Sequence, residues 1–334
     1  MTLALGMACT HFPSLFQETY EGWQRYWRIL SSHVPQPPEV YEEDADRIAS
    51  FIERRNAAFE TFRKAFRAAE IDVLVVIGGD QDEWFDRTHI PNLFVYSGSD
   101  PIKGFHNYGS MDSDPPLQFF EHPDRFGLEL AVHSQLAQAL TQSLLDDDFD
   151  VSTSTKIVPQ GRPTHGAPHA IVRPLPSIMP ELDVPVLPVI IKTIENSPAN
   201  MTGKRCLELG RAIGAFCARQ PERIAILASG GMSHDPVGPR SGWVDEPLDR
   251  WLLDILADGR IDPLGGLFSF QSASMDSGTG ELRSWLVAAA AIQQQYPGIK
   301  ADILDYFPAR KATAGCGWAL WHPDLTPPQG GSAA

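Results

Sequence analysis

The sequence predicts an α/β protein, a single domain around a central mostly parallel or mixed sheet flanked by helices. Three observations carry that expectation. Four short apolar runs, at residues 3–9, 72–77, 184–191 and 224–229, have the unbroken character of strands covered on both faces. Stretches of helical periodicity lie between them, the alternation that builds a sheet with helices on its faces. No internal repeat or shift in composition marks a second unit, so residues 1–322 read as one domain and residues 323–334 as a loose tail.

The elements follow in order. The first run breaks at Thr10-His11-Phe12-Pro13, a buried strand passing into a loop. An aromatic, proline-spotted stretch continues to Pro38. Ile48, Ile52, Phe59, Phe62 and Phe66 then recur at helical spacing among charges and predict a long amphipathic helix. Asp72 to Ile77 (DVLVVI) is the clearest strand, closed by Gly78-Gly79. The stretch from Pro91 to Pro123 is rich in Gly, Pro, Ser and Asp and too long for a simple connector. It reads as a functional loop or lid, with Phe105, His106 and Tyr108 as candidate contacts. Leu128, Val132, Leu136, Leu140 and Leu144 step by four and predict a second amphipathic helix. Residues 204–219 are helical in pattern, and residues 285–292 form an alanine-rich helix that opens near Glu281.

The chain has 334 residues with 27 basic and 42 acidic side chains, a formal charge of −15. That balance repels phosphate backbones and anionic lipid, so nucleic acid and membrane surfaces are not expected partners. No apolar run approaches the ~20 residues that span a bilayer, and MTLALGMACTHFP lacks the basic flank and long apolar core of a signal peptide. Cys9, Cys206, Cys217 and Cys316 form neither a CxxC pair nor a disulfide framework. A soluble cytoplasmic protein is the expectation.

In open α/β sheets, ligands collect beyond the carboxyl ends of strands. Polar groups stand there after three of the predicted strands: His11, the run Asp80-Gln81-Asp82-Glu83, and Ser233-His234-Asp235. A glycine-proline loop, Thr164-His165-Gly166-Ala167-Pro168-His169, adds two histidines. One strand-end histidine alone is more often a hydrogen-bonded loop residue than a ligand; four such segments together point to a site. By itself Glu281 is a first-turn glutamate that favours the helix dipole. Gly78-Gly79-Asp80 lacks the GxGxxG spacing of a dinucleotide-binding turn.

The same segments, with GKRCLELG at residues 203–210, SGGMSHDPVGPRSG at 229–242, SGTGELRSWL at 277–286 and the 306–321 region, occur in an order that resembles a known family. It is that of the class III extradiol ring-cleaving dioxygenases, which includes the protocatechuate 4,5-dioxygenase beta subunit and 2,3-dihydroxyphenylpropionate dioxygenase. The resemblance implies Fe(II) held by two histidines and one carboxylate, a set that leaves the opposite face for a catecholate and O₂. It makes His11 the first ligand and Glu281 the carboxylate. Where the family carries Asn-Asp-His or Pro-Asp-His, this chain has Gly79-Asp80-Gln81, so Gln81 stands in the second histidine's place. Three readings are open at this point. Gln81 ligates through its amide oxygen, Asp82 or Glu83 takes over, or ordinary ring cleavage has been lost; His89 is also close in sequence.

His165 and His234 match the family's two acid–base histidines, a role suited to imidazole because it titrates near working pH. Gly230-Gly231 ahead of His234 permits the close approach of a substrate, and Asp235 is a candidate to orient the imidazole. His169 reads as a structural loop histidine. Arg240 and Lys192 are candidates for a substrate carboxylate. The expected function is opening of a catechol-like ring with O₂ by Fe(II) on His11, Gln81 and Glu281, with His165 and His234 moving protons. The alternatives are a metal-dependent hydrolase or lyase on the same scaffold, with zinc for iron, and a non-catalytic partner subunit. The family further implies a homodimer, joined in some members by a small helical subunit.

Overall fold

The computed structural model describes residues 3–86, 88–104, 128–158, 166–193, 200–270 and 272–323. Its centre is four parallel strands in the order β7 (Val186–Ile191), β2 (Val73–Gly78), β8 (Ile224–Ser229) and β1 (Leu3–Cys9). Every residue of these four is buried, which accounts for their unbroken apolar sequences. On one side β3 (Leu93–Tyr96) adds antiparallel to β7, and β6 (Ser152–Ser154) adds parallel to β3. On the other, β10 (Ala314–Trp321) runs antiparallel to β1 and pairs with β9 (Asp302–Ala309). The sheet is therefore mixed, eight strands wide, with its parallel part in the middle.

Alternate side chains of each strand face opposite layers. Val73, Val75 and Ile77 join the core under α3 (Ser134–Asp146), α6 (Gly203–Cys217), α7 (Glu246–Asp258) and α8 (Leu282–Gln295). Leu74 and Val76 join the core under α1 (Tyr20–Leu30), α2 (Ala45–Ala68), α4 (His169–Val172) and α5 (Leu175–Ile178). Within α8, residues 282–292 are all buried. Gly6 of β1 leaves room for Ile292, and Gly210 and Gly214 of α6 lie against the α8 backbone, so this apolar helix runs through the middle of its layer.

Two expectations change. The periodic run from Leu128 is not one helix: Leu128–Leu130 is β5, paired with β4 (Ile102–Gly104), and the helix starts at Ser134. Residues 128, 130 and 132 also alternate apolar with polar or small, so positions that fit a step of four fit a step of two as well. The stretch from Pro91 to Pro123, read wholly as a loop or lid, contains β3 and β4, and its residues 105–123 lie outside the described residues. The predicted loose tail lies almost wholly outside them too, at residues 324–334. α1 lies in the aromatic stretch before Pro38, where the sequence predicts no element.

Candidate metal centre

The strand ends bring the polar groups together. His11 lies two residues past β1 and is 1% exposed. Its Nδ1 bonds the Ser229 hydroxyl at the end of β8, 2.8 Å away. Its Nε2 is buried without a hydrogen-bond partner and lies 3.3 Å from Glu281 Oε2.

Glu281 is carried in by α8. The hydroxyl of Ser284 donates to the Glu281 carbonyl at 2.7 Å and the Trp285 indole to the Gly230 carbonyl at 3.0 Å, which fixes the start of α8 to the loop after β8. Gly230 is required for that approach, since a Cβ there would sit 2.8 Å from the Glu281 carbonyl oxygen. The carboxylate accepts the Gly231 N–H on Oε2 and the Gln81 amide N–H on Oε1. Burial alone would raise this carboxyl; the imidazoles of His11 and His234 overcome it and hold it at about 2. It is a buried carboxylate aimed inward, not merely a first-turn glutamate facing a helix dipole.

A third side chain that could hold a metal is His169, whose sequence context reads as that of a structural loop histidine. His169 is 6% exposed, and its ring meets that of His11 edge-on with centroids 4.6 Å apart. Gly78 lets α4 come this close to β2, because a Cβ there would stand 2.6 Å from that of Ala170. His169 Nδ1 donates to Glu83 Oε1 at 2.5 Å, which leaves Nε2 with its lone pair. Burial lowers the imidazole to about 4 against the pull of Glu83, so the ring is neutral near pH 7. One donor atom each from His11, His169 and Glu281 lies within 4.8 Å of the others.

Gln81 also reaches the cluster, where it presents an amide N–H to Glu281. Glu83, one of the two alternatives considered for the ligand, bonds His169 and the Gln81 backbone N–H. Asp80 accepts the backbone N–H groups of Trp84 and Phe85 at 2.7 and 3.2 Å and shapes the turn. His89 is exposed in the following turn. His234 is 3% exposed; its Nδ1 donates to the Met232 carbonyl at 2.7 Å, and its Nε2 stands 3.8 Å from Glu281 Oε2. Asp235 does not orient that ring: its carboxylate accepts the Arg240 backbone N–H. Arg240 itself donates to the Ala273 carbonyl, and Lys192 lies half-buried one residue past β7. Cys9 is fully buried, and burial pushes its thiol up, which makes it a core residue. His165 lies outside the described residues.

An α/β sheet with two imidazoles and a carboxylate converging at its carboxyl edge has the donor set of the non-haem iron oxygenases. Residues 28–316 match the family described as the catalytic LigB subunit of aromatic ring-opening dioxygenase, and the chain belongs to that family. A 2,3-dihydroxyphenylpropionate/2,3-dihydroxicinnamic acid 1,2-dioxygenase of Xanthobacter autotrophicus is 25% identical over 300 residues, 75% of this chain and 90% of that protein. The protein of the same name from Cupriavidus necator is 24% identical over 310 residues, 80% of this chain and 88% of its own. Among solved structures, an uncharacterized protein of Escherichia coli K12, JW3007, aligns over 95% of this chain and 99% of its own with a TM-score of 0.48 and 14% identity.

Proposed function

We propose that the protein opens a catechol-like aromatic ring with O₂, using Fe(II) held by His11, His169 and Glu281. The observation that carries this is the buried trio itself, with His11 Nε2 lacking any other partner and His169 Nε2 left free by the Glu83 bond. Two imidazole nitrogens and one carboxylate oxygen suit Fe(II), and three protein ligands leave positions for a bidentate catecholate and O₂. The hydrolase or lyase reading rests on Gln81 leaving one imidazole in the set; in the proposed centre His169 is the second imidazole.

When bound, the iron supplies the redox chemistry that brings O₂ and a chelated catecholate together. The chain's own groups set protonation and shape. His234 is pinned through Nδ1 to the Met232 carbonyl, so Nε2 is the atom that accepts a proton from a substrate hydroxyl and later returns it. Its backbone is fixed as well, with its N–H on the Thr279 hydroxyl at 3.1 Å. Gly278 keeps the space beside the ring open, since a side chain there would enter the imidazole. Phe12 meets that imidazole edge-on at 5.4 Å and walls one side. His165 belongs to the same proposal as the second proton-carrying histidine, on the resemblance of its Thr-His-Gly segment. Catechols bearing a carboxylate side chain are the first substrates to test, as the relatives' names indicate. A cytoplasmic location and a homodimer complete the reading. None of the described helices is long and apolar enough to cross a membrane.

The test is anaerobic reconstitution with Fe(II), followed by oxygen uptake and absorbance with a panel of substituted catechols. One O₂ consumed per ring and a yellow product are expected. An iron-loaded protein that gives neither across the panel contradicts the proposal.

A further inference from the structure

We propose that Glu83 is a positioning residue that aims both the His169 imidazole and, through Gln81, the Glu281 carboxylate. The inference rests on the metal site proposed above. Glu83 is 1% exposed, and its two oxygens serve different arms of the cluster. Oε1 accepts His169 Nδ1–H at 2.5 Å and the His169 backbone N–H at 3.4 Å. Oε2 accepts the Gln81 backbone N–H at 2.6 Å, and the Gln81 side chain in turn donates to Glu281 Oε1. One carboxylate thus reaches two of the three donors.

The turn around it is built to hold still. Asp80 clamps the N–H groups of Trp84 and Phe85, and Asp82 takes left-handed backbone at φ 62°, which reverses the chain between Gln81 and Glu83. The Trp84 ring packs against Phe94 and Tyr96 of β3 at 6.1 and 5.8 Å. An anionic acceptor on Nδ1 fixes the tautomer, orients the ring and strengthens Nε2 as a donor. The turn that lacks a ligand histidine therefore contributes to the centre by hydrogen bonding.

Wild type, Glu83→Gln, Glu83→Ala and Glu43→Gln are titrated anaerobically with Fe(II), and with Co(II) as an optical probe, against a chromophoric chelator. Melting temperatures of the metal-free proteins are recorded alongside. Glu43 is the control: a buried carboxylate that accepts the N–H groups of Arg310 and Lys311 in the β9–β10 turn. Glu83→Ala should weaken metal affinity about 10- to 100-fold and alter the Co(II) absorption, the size found for groups that orient a ligand histidine. Glu83→Gln, which keeps one acceptor oxygen, should fall between, and Glu43→Gln should match wild type even where its melting temperature drops. Equal affinity and spectra for wild type and Glu83→Ala would overturn the positioning role while leaving the metal site standing. Should Glu83→Ala fail to fold, Glu83→Gln decides: affinity equal to wild type overturns the role. A wild type that binds neither metal overturns the site reading itself.

Discussion

At the scale of residues, the proposed centre gives the ligand place expected of Gln81 to His169. His169→Ala should remove a ligand and lower metal affinity by at least about 100-fold, measured by chelator competition, whereas Gln81→Ala should cost less, since it frees one oxygen of Glu281 without removing a donor. The reverse order would make Gln81 the ligand. His11 and His234 were legible as candidates because each follows a clear strand end, whereas Glu281 was legible only through the family resemblance, since alone it reads as a first-turn glutamate. His169 was not, because its value depends on Gly78 admitting α4 and on Glu83 arriving from a turn 86 positions away. The unused signal was a carboxylate two residues past the missing histidine, a ready partner for an imidazole from elsewhere. A second residue-scale prediction concerns Asp249, fully buried, which accepts the Ser233 N–H and hydroxyl and the Tyr306 hydroxyl at 2.8, 2.8 and 2.9 Å. Burial pushes its carboxyl up to about 7. Its folded pKa stands above its unfolded one, so its contribution to stability is whole below about pH 4 and is lost as pH rises through 7. Urea unfolding should show wild type losing ground to Asp249→Asn across that window, by about 4 kcal/mol at most. A pH-independent difference would contradict the assignment.

At the scale of elements, the centre is only as well placed as α8, which carries Glu281 at its entrance. Gly210 and Gly214 let α6 pack directly on it; a Cβ at Gly214 would already stand 2.8 Å from that of Gln294. Gly214→Val should therefore destabilise by about 1–3 kcal/mol in urea unfolding, the usual cost of overpacking, and should weaken metal affinity as well. Unchanged stability would mean the two helices part without strain. The buried parallel strands and the long helices were readable because continuous apolar runs and 3.6-residue periods leave few alternatives. The short strands were not. β3 and β4 lie among Gly, Pro and Ser residues, and β5 shares its spacing with the helix that follows it. Strands of three or four residues owe their existence to pairing partners far away in sequence, such as β7 for β3.

At the scale of the whole molecule, a metal in the proposed centre would tie together distant chain segments, His11 and Glu281, with His169 between. Metal that binds only the folded state stabilises it by mass action, about 2.7 kcal/mol at a concentration 100 times the Kd. Anaerobic addition of Fe(II) or Co(II) should raise the melting temperature of wild type by several degrees and leave that of His169→Ala nearly unmoved. Equal shifts in both would place the ion elsewhere. The charge of −15 repels phosphate backbones and anionic lipid. The most direct measurement is a crystal structure of protein loaded with Fe(II) under anaerobic conditions, with the ion located by anomalous scattering at the iron edge. The ion should be bonded to His11, His169 and Glu281, with Gln81 still donating to the carboxylate. An ion bonded to Gln81, with His169 beyond coordination distance, would contradict the proposed centre.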